Sequence, residues 1–450
     1  MGKLKALILA AGNSTRMKSK LSKVMHPILG KPLINYAVDA CKSVGCEDII
    51  IVAGDNMAAL KEIVPEASFA HQKERLGTGH AVMSAVDFID DDDTIFITFG
   101  DVPLIQGETI KQIIDAHNSA KSAATIVSCV FENPFGYGRV IRENGAFLKI
   151  VEQRDANETE QAVNEINTGM ACYNGKALKE ALKELKNDNS QSEYYLTDVA
   201  SILKDKGFGV EIFVGDDPFD FYGVNDRAQL AEAAGIAKLR INKKHMITGV
   251  SIWDPANTYI GPDVSIEAGT CILPNTIIEG VCKIGADCEI GPSTTIKSSI
   301  IGDNCKIIKS ALDSAEVHNN VSIGPFAYLR PKAVLMDNVK IGDFVEVKNA
   351  VIGKGSKASH LAYIGDAEVG ENVNFGCGAI TVNYNGKTKD KTIIKDNAFI
   401  GSNSNLVAPV TVEKGGYVGA GSTVTKDVPE NCLTIARARQ ENKEGRAPRG

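Results

Sequence analysis

The sequence lacks the features of several large protein classes. Among its 450 residues are one tryptophan, seven histidines and ten cysteines, and the cysteines form no C-x-x-C pair and no compact disulfide framework. No apolar run approaches the length of a membrane span, and the short run Ala6–Ala11 suits a buried first strand better than a signal peptide. We therefore expect no membrane span and a reducing, cytoplasmic environment.

Excess positive charge is absent as well. The 49 Lys and Arg residues are outnumbered by 56 Asp and Glu residues, which gives a net charge of −7. A surface of this sign does not attract nucleic acid or an acidic membrane, so we expect neither as a partner. Local basic pockets for small phosphorylated ligands are still compatible with this charge. The chain is too long for a single hydrophobic core, which indicates two or three domains.

The first half of the chain alternates strand-like apolar runs with helix-like segments. Leu4–Ala10, Ile49–Val52 and Thr94–Phe99 are strand-like, whereas Pro32–Val44 has proline near its start and glycine just beyond its end, as helices do. This alternation predicts a parallel sheet with helices on its faces. Ligands of such sheets bind beyond the carboxyl ends of the strands, so the candidates for chemistry are sought there.

A charged, Ala-rich and proline-free stretch follows at about Asp226–His245. It predicts one solvent-facing helix between two bodies, although Gly235 weakens that helix. We therefore expect a first domain over 1–226, a helical linker over 227–247 and a second domain over 248–450 that ends in a polar tail.

The second half has a period of six. An aliphatic residue recurs every sixth position over Ile260–Ile296, over Val317–Val347 after a slip of the frame, and over Ile394–Val424. A small or β-branched residue follows four positions later, over Val264–Thr294 and Val321–Val351. This period is typical of a parallel β-helix in which three hexads form one coil. Three cysteines occupy the small-residue position, which predicts core packing rather than metal binding: Cys282, Cys288 and Cys305.

Three motifs of the first half follow predicted strands. The loop Leu9–Met17 can bring backbone N–H groups against phosphates, with Arg16 and the nearby Lys23 neutralising their charge. A second Gly/Thr turn, Leu76–Ala81, opens a helix, and Asp101 follows the strand TIFITF, where a carboxylate is well placed to hold Mg²⁺. The alternatives are a plain tight turn with surface bases and an aspartate that only caps a helix or turn.

Interruptions of the hexads mark a second group of polar residues. His360 lies in SKASHLAYIGD, close to an aromatic residue and several bases, and the count breaks between Thr381 and Ile394, which predicts a projecting loop. Histidine titrates near neutral pH and can accept a proton from an attacking amine. The alternative is a merely exposed side chain, as we expect for His318.

Four further motifs complete the pattern: GYGR at Gly136–Arg139, VEQ at Val151–Gln153, NTG at Asn167–Gly169 and GVN at Gly223–Asn225. Together the motifs resemble those of the sugar-nucleotide pyrophosphorylases. With the hexapeptide half attached, nearly the whole chain resembles the bacterial bifunctional N-acetylglucosamine-1-phosphate uridyltransferase/glucosamine-1-phosphate acetyltransferase family. The resemblance implies an α/β, Rossmann-like nucleotidyltransferase domain followed by a left-handed parallel β-helix of hexapeptide repeats.

The resemblance also implies two activities. The β-helix domain would transfer acetyl from acetyl-CoA to glucosamine 1-phosphate. The first domain would then transfer uridylyl from UTP to N-acetylglucosamine 1-phosphate and release pyrophosphate, for cell-envelope synthesis. One alternative is a single-activity pyrophosphorylase whose β-helix serves assembly or regulation, which His360 and the NYNG loop argue against. Another is a non-enzymatic scaffold, which the intact phosphate and metal positions argue against.

Residue roles are carried over from the same resemblance. UTP would contact Leu9, Ala11, Gly12, Arg16, Lys23, Gln72, Gly77 and Thr78. N-acetylglucosamine 1-phosphate would contact Gly138, Glu152, Asn167 and Asn225, and Mg²⁺ would be held by Asp101 and Asn225. Glucosamine 1-phosphate would contact Arg330, Lys348, Tyr363, Asn374 and Lys391, with His360 as the general base. Acetyl-CoA would contact Asn383, Tyr384, Ser402, Ala420 and Arg437.

The chain departs from the family pattern at two positions. Ser14 replaces the second glycine of the usual G-x-G-T-R loop, and Asn385 replaces the aspartate of N-Y-D-G. A hexapeptide prism exposes flat faces and typically trimerises, so we expect a homotrimer.

Overall fold

The computed structural model describes residues 2–12 and 15–446. The chain forms two compact units, Met1–Ala237 and Lys238–Gly450. The boundary falls inside the helix Arg227–Ile247. Ser14 lies outside the described residues. No described helix has the length and apolar character needed to cross a membrane.

The first unit is built on a nine-stranded sheet. Its strands are β1 Leu4–Leu9, β2 Asp48–Ala53, β3 Ser68–His71, β4 Thr94–Phe99, β5 Ala124–Val130, β6 Arg139–Glu143, β7 Ala146–Val151, β8 Glu165–Asn174 and β9 Val210–Gly215. The order β9-β5-β8-β4-β1-β2-β3 is parallel except for β8, and the antiparallel pair β6–β7 joins the sheet through β8. Parallel strands covered on both faces read as continuous apolar runs, which is why β1, β2 and β4 were visible in the sequence.

Helices flank this sheet. They are α1 Leu33–Ser43, α2 Met57–Ile63, α3 Thr78–Met83, α4 Gly107–Ala120, α5 Glu158–Gln161, α6 Gly175–Leu182 and α7 Asp198–Asp205, and α8 Arg227–Ile247 follows them across the boundary of the two units. Short 3₁₀ turns lie at Thr15–Met17, Lys23–Met25, Val86–Phe88, Pro218–Phe221 and Pro255–Asn257, and a small hairpin pairs Pro27–Ile28 with Lys31–Pro32. The apolar faces of α1 and α4 pack in one core cluster and those of α6 and α7 in another. The expected α/β fold is confirmed.

The second unit consists of short parallel strands stacked coil upon coil. One sheet contains Ser251–Ile252, Tyr259–Ile260, Cys271–Ile272, Ile277–Glu279, Glu289–Ile290, Thr295–Lys297, Lys306–Ile307, Ala311–Asp313, Ser322–Ile323, Tyr328–Leu329, Lys340–Lys348, Lys357–Gly365, Asn374–Phe375, Ile380–Val382, Phe399–Ile400, Asn405–Val407, Tyr417–Val418, Thr423–Val424 and Leu433–Thr434. Another contains Val264–Ile266, Cys282–Ile284, Ile300–Ile301, Glu316–Val317, Ala333–Leu335, Ala350–Ile352, Ala367–Val369, Thr392–Ile394 and Val410–Val412. This architecture is consistent with the expected left-handed β-helix.

Hexad aliphatics form the interior of the second unit. Every aliphatic position of the three predicted blocks is buried, and so are Cys282, Cys288 and Cys305. Residue Cys271 pairs with Glu289, eighteen positions later, as three hexads require. The loop predicted between Thr381 and Ile394 is also present, because residues 384–389 are exposed between two strands that keep their places in the ladders.

The slip of the frame has a local cause. Interior positions advance by five rather than six residues from Ile296 to Ile301 and from Val347 to Ile352. Ser298 and Asn349, which lie within these steps, both have a φ of 45°, a left-handed conformation that six-residue corners also have, so the interior positions shift because the step itself is shorter. The prediction that Val351 points inward is therefore wrong. Ala350 takes the interior position, and Val351 is 42% exposed.

Candidate active sites

The first site is a cavity of about 430 Å³ in the first unit, beside the carboxyl ends of β1, β3 and β4. Seven of the eight residues predicted to contact UTP line it: Leu9, Ala11, Gly12, Lys23, Gln72, Gly77 and Thr78. Asp101 lines it as well. Six residues of its wall were not predicted as contacts, namely Ala10, Val24, Arg75, Ala81, Phe99 and Glu193. We call this the nucleotide cavity.

The turn at Gly77 owes its shape to a distant segment. Gly77 has a φ of 107°, and a Cβ placed there would lie 2.5 Å from the carbonyl oxygen of Tyr194. Tyr194 donates its N–H to Leu76 O at 2.7 Å and accepts from Gly79 N at 2.8 Å, so its backbone clamps the turn from both sides. The buried Gln72 donates from Nε2 to Gly77 O at 3.1 Å. Only glycine fits this close approach.

Two predicted metal ligands meet at one ammonium group. Lys23 forms an ion pair with Asp101 and donates to Oδ1 of Asn225 at 3.1 Å. Arg16 also donates to this Oδ1, at 2.9 Å, which connects Arg16 and Asn225 to the nucleotide cavity through Lys23. Oxygen atoms of a carboxylate and an amide are the donors that Mg²⁺ accepts, usually with water and substrate phosphates. The side-chain oxygens of Asp101 and Asn225 both bond to the ammonium group of Lys23. Their positions and their chemistry therefore fit a single Mg²⁺ ion.

A second cavity, of about 200 Å³, adjoins the first. Gly138, Glu152 and Asn167, which were predicted to contact N-acetylglucosamine 1-phosphate, line it, and the wall also includes Tyr137 and Thr197. We call it the sugar cavity. Thr78 and Phe99 belong to the walls of both cavities. Two ligands bound there would consequently be close neighbours.

Backbone and carboxylate groups shape the sugar cavity. Asn167 donates its N–H to Gly138 O at 2.8 Å and accepts from Gly169 N through Oδ1 at 3.2 Å. Burial raises the pKa of the Glu152 carboxyl, an effect that Thr197 Oγ1 at 3.5 Å partly offsets. The negative charge of Asp198 raises the pKa of Glu152 further. The cavity therefore holds a carboxylate that is costly to ionise and available as a hydrogen-bond acceptor.

The β-helix carries the second site on its surface. His360 lies on the strand Lys357–Gly365 with its side chain 65% exposed, and its Nδ1 is 2.7 Å from Oδ1 of Asp343 on the neighbouring coil. His318, which was expected to be merely exposed, has a side chain that is 34% exposed and lies 3.1 Å from Glu316. Asp343 was not predicted because the hexad period places residues eighteen positions apart opposite each other, whereas Asp343 and His360 are seventeen apart.

Predicted sugar-phosphate residues lie near this histidine. Arg330 donates to Glu346 at 2.8 Å, and Glu346 is opposite Tyr363 in the ladder. Asn383, which was predicted to contact acetyl-CoA, donates to Tyr363 Oη at 3.4 Å. Arg330, Tyr363 and Asn383 thus belong to one patch that runs over adjacent coils.

Three lysines of the β-helix unit, Lys348, Lys389 and Lys391, are candidates for binding a phosphate, and Lys389 was not among the predicted contacts. Lys391 forms an ion pair with Glu368, whereas Lys389 lies beside Lys348. The neighbouring Lys348 ammonium lowers the pKa of Lys389. Two positive groups held together favour an anionic ligand such as a phosphate. Asn374 is opposite Lys357, on the coil after His360.

Three residues predicted to contact acetyl-CoA lie on successive coils. Gly421 donates its N–H to Ser402 O at 2.7 Å, and a Cβ on Gly401 would lie 2.6 Å from the backbone nitrogen of Ala420. A Cβ on Gly421 would lie 3.5 Å from Cδ of Arg437. These close approaches join Ser402, Ala420 and Arg437 into one strip.

The loop 383–391 carries the remaining predicted contact, Tyr384, which is exposed. Asn385 accepts from the backbone N–H groups of Lys387 and Thr388 through Oδ1, each at 2.9 Å. An aspartate oxygen accepts the same bonds. The departure at Asn385 is therefore compatible with the loop.

Both halves of the chain match models of known protein families. The model of the MobA-like NTP transferase domain matches residues 6–198, and that of the bacterial transferase hexapeptide (six repeats) matches 263–298 and 314–349. "Bifunctional protein GlmU" of Clostridioides difficile (strain 630) is 53% identical, over 98% of this chain and 96% of its own. The proteins of the same name from Geobacillus sp. (strain WCH70) and Brevibacillus brevis (strain 47) are 52% and 49% identical, over 99% and 98% of this chain and 97% of their own. The chain belongs to the bifunctional GlmU family.

Membership in the GlmU family confirms the expected activities. The protein is a transferase with a uridylyltransferase and an acetyltransferase activity in UDP-N-acetylglucosamine synthesis. The single-activity alternative is not favoured, because the similarity to GlmU proteins extends over both halves of the chain. Its substrates are small molecules, which include a nucleotide and acetyl-CoA.

Proposed function

We propose that the nucleotide cavity holds UTP and the sugar cavity holds N-acetylglucosamine 1-phosphate. The observation that carries this assignment is the common wall of Thr78 and Phe99, which brings the two ligands side by side. Transfer between two bound ligands depends mainly on positioning and on neutralising charge. The sugar-phosphate oxygen attacks the α-phosphorus of UTP, the bond to the β-phosphate breaks, and pyrophosphate leaves.

Charged side chains around the nucleotide cavity serve the departing pyrophosphate. Arg16 and Lys23 neutralise its negative charge, while Glu152 and Asn167 orient the sugar in the neighbouring cavity. Asp101 and Asn225 would hold Mg²⁺. When bound, Mg²⁺ supplies further stabilisation of the developing phosphate charge.

In the second unit we assign acetyl transfer to the surface around His360. Its Nε2 accepts a proton from the amine of glucosamine 1-phosphate as the amine nitrogen bonds to the thioester carbonyl carbon. The carbon–sulfur bond then breaks, and CoA leaves as the thiol. Arg330, Lys348, Tyr363 and Asn374 hold the sugar phosphate, and Lys389 joins them because it lies beside Lys348. Lys391 contributes from the same loop, and the strip of Ser402, Ala420 and Arg437 with Asn383 and Tyr384 holds acetyl-CoA.

The assembly that we propose is a homotrimer formed through the β-helix. Phe326, Phe344 and Leu361 occupy one corner of three successive coils and are 54%, 58% and 57% exposed. The rings of Phe326 and Phe344 stack with their centroids 5.4 Å apart. A contiguous exposed apolar row of this kind marks an interface, and we call it the corner ridge. We place the enzyme in the cytoplasm, where UTP and acetyl-CoA are made. Its ten cysteines are free thiols, and the cytoplasm keeps them reduced.

The test is pyrophosphate release from UTP, Mg²⁺ and glucosamine 1-phosphate, with and without acetyl-CoA. Release only with acetyl-CoA supports both sites and the order of acetylation before uridylylation. Release without acetyl-CoA would show that the sugar cavity does not require an N-acetyl group. Absence of release in both reactions contradicts at least one of the two site assignments. A His360→Ala protein should release pyrophosphate only when N-acetylglucosamine 1-phosphate is supplied directly.

A further inference from the structure

Two long strands bring Asp343 and His360 together. Within the described part of the β-helix, most strands have two or three residues, whereas Lys340–Lys348 and Lys357–Gly365 have nine each. These two strands pair in parallel through the corner, with Asp343 directly opposite His360. The approach is close: a Cβ on Gly342 would lie 1.9 Å from the carbonyl oxygen of Ser359. Glycine before Asp343 therefore allows the two coils to meet at this corner.

The hydrogen bond between the two side chains fixes the proton on the imidazole ring. His360 Nδ1 and Asp343 Oδ1 are 2.7 Å apart. The hydrogen bond to His360 holds the pKa of Asp343 below its ordinary value, so the carboxyl is ionised at neutral pH. An ionised carboxylate only accepts hydrogen bonds, so Nδ1 must be the donor. A neutral imidazole with its proton on Nδ1 has a free lone pair on Nε2.

We propose that Asp343 is a positioning residue for acetyl transfer, which holds His360 in the tautomer that presents an unprotonated Nε2 to the substrate amine. This inference rests on the proposed role of His360 as the general base. The carboxylate also stabilises the imidazolium that forms when Nε2 takes the proton, as an aspartate does behind a catalytic histidine. The proton later passes from Nε2 to the sulfur of the departing CoA.

The other titratable groups near His360 either bond to another residue or are not carboxylates. The strand of His360 packs between Lys340–Lys348 and the strands Asn374–Phe375 and Ile380–Val382. Titratable groups on these elements and on the turn between the last two are Lys340, Asp343, Glu346, Lys348, Lys357, Tyr363 and Cys377. Glu346 accepts from Arg330. Among the residues that the structure describes, Asp343 is the one carboxylate bonded to His360.

An Asp343→Asn substitution in the full-length protein tests the inference. Asparagine keeps the size of the side chain and removes its charge. We expect kcat for acetyl transfer to fall about 10- to 100-fold, the usual range for loss of one charge-assisted hydrogen bond, with the KM values of both substrates little changed. The acidic limb of the rate profile, measured over about pH 5–9 where histidine titrates, should move to lower pH. A residue that only supports the fold would not move that limb.

Two controls separate this effect from misfolding. Glu316→Gln removes the same charge beside His318 on another part of the β-helix, and it should leave kcat and the pH profile unchanged. In the Asp343→Asn protein, uridylyl transfer to N-acetylglucosamine 1-phosphate should remain at the wild-type rate. In ¹⁵N-histidine-labelled wild-type protein, the signal that disappears in His360→Ala should report the Nδ1–H tautomer. An Nε2–H tautomer would overturn the inference without any variant of Asp343.

The outcomes distinguish the two levels of the assignment. If Asp343→Asn keeps the wild-type kcat and pH profile while His360→Ala is inactive, the inference about Asp343 is wrong and the general base stands. If His360→Ala keeps full acetyl transfer, both the base and its positioning residue are wrong.

Discussion

Lys23 donates a hydrogen bond to Oδ1 of Asn225 at 3.1 Å, although the two residues lie 202 positions apart in the chain. Lys23 also forms an ion pair with Asp101. The ammonium group therefore occupies the place where the two proposed Mg²⁺ ligands converge. A divalent cation at this place would compete with Lys23 for the same oxygen atoms and free the lysine for the substrate phosphates.

Removal of the Asp101 carboxylate should separate the two activities. We expect Asp101→Ala to lower uridylyl transfer about 100-fold or more, because the carboxylate proposed to hold Mg²⁺ is lost. Acetyl transfer should stay at the wild-type rate. The measurement is pyrophosphate release and CoA release on one preparation. Asp115→Ala, which removes an exposed aspartate paired with Lys111 on α4, is the control. Loss of both activities in Asp101→Ala would indicate a folding defect or a wrong assignment.

Glu152 should link stability and sugar binding to pH. Because burial raises its pKa, the carboxyl favours the folded state when protonated. This contribution is present below about pH 4, the ordinary range of glutamate, and is lost as the pH rises through the raised pKa. Glu152→Gln should therefore raise Tm at neutral pH by about 2 °C, leave it unchanged near pH 4, and raise the KM of the sugar phosphate about tenfold. A lower Tm at neutral pH would contradict this account.

Gly77 should tolerate no side chain. Both Gly77 and Gly207 have a left-handed φ, but a Cβ on Gly207 meets nothing within 4 Å whereas one on Gly77 meets the Tyr194 backbone at 2.5 Å. Gly77→Ala should lower the free energy of unfolding by at least about 2 kcal/mol more than Gly207→Ala, and it should raise the KM of UTP. Urea unfolding and steady-state kinetics measure these effects. Equal destabilisation by the two substitutions would show that the clash is relieved at no cost.

Adjacent residues test the five-residue step of the β-helix. Ile352 is buried and Val351 is exposed. Ile352→Ala should cost about 2–5 kcal/mol through the cavity that it leaves, and Val351→Ala should cost about 0.5 kcal/mol or less. Thermal denaturation of the two variants compares them directly. A larger loss of stability in Val351→Ala than in Ile352→Ala would contradict the five-residue step and indicate an unbroken six-residue repeat.

A charge on the corner ridge should dissociate the proposed trimer. Phe344→Glu is expected to give a monomer by light scattering, since a carboxylate buried without a partner destabilises an interface. Val281→Glu places the same charge on another exposed apolar residue away from the ridge, and it should leave the mass unchanged. The proposed interface is wrong if the two variants have the same mass as the wild type.

Patterns that repeat along the chain were predictable from the sequence, and contacts that depend on register were not. The hexad aliphatics repeat locally, so the β-helix core could be read directly. The five-residue steps were missed because a corner that is one residue shorter has no distinct sequence signature: left-handed residues such as Ser298 and Asn349 occur at six-residue corners as well. Asp343 was missed for a related reason: its partner lies seventeen positions away, on the next coil.

The candidate site shows the same division. Residues at the ends of β1 and β4, such as Gly12 and Asp101, were found because parallel strands direct attention to their carboxyl ends. Arg75, which donates to Ala11 O at 3.0 Å, and Tyr194 act through the folded backbone and carry no motif. The position of Lys389 beside Lys348 depends on the conformation of an exposed loop, which sequence spacing does not determine.

The shortened corners have a consequence for how such a chain can diverge. A residue can be lost at a corner, or seven can be added to an eighteen-residue coil as in the coil that carries 383–391, and the ladders on either side still stack in place. Insertions and deletions at corners are therefore cheap, while those within the strands are not. The pair Asp343 and His360 also lies at a corner. New catalytic residues can therefore arise at the corners of the β-helix while the strands of its sheets stay unchanged.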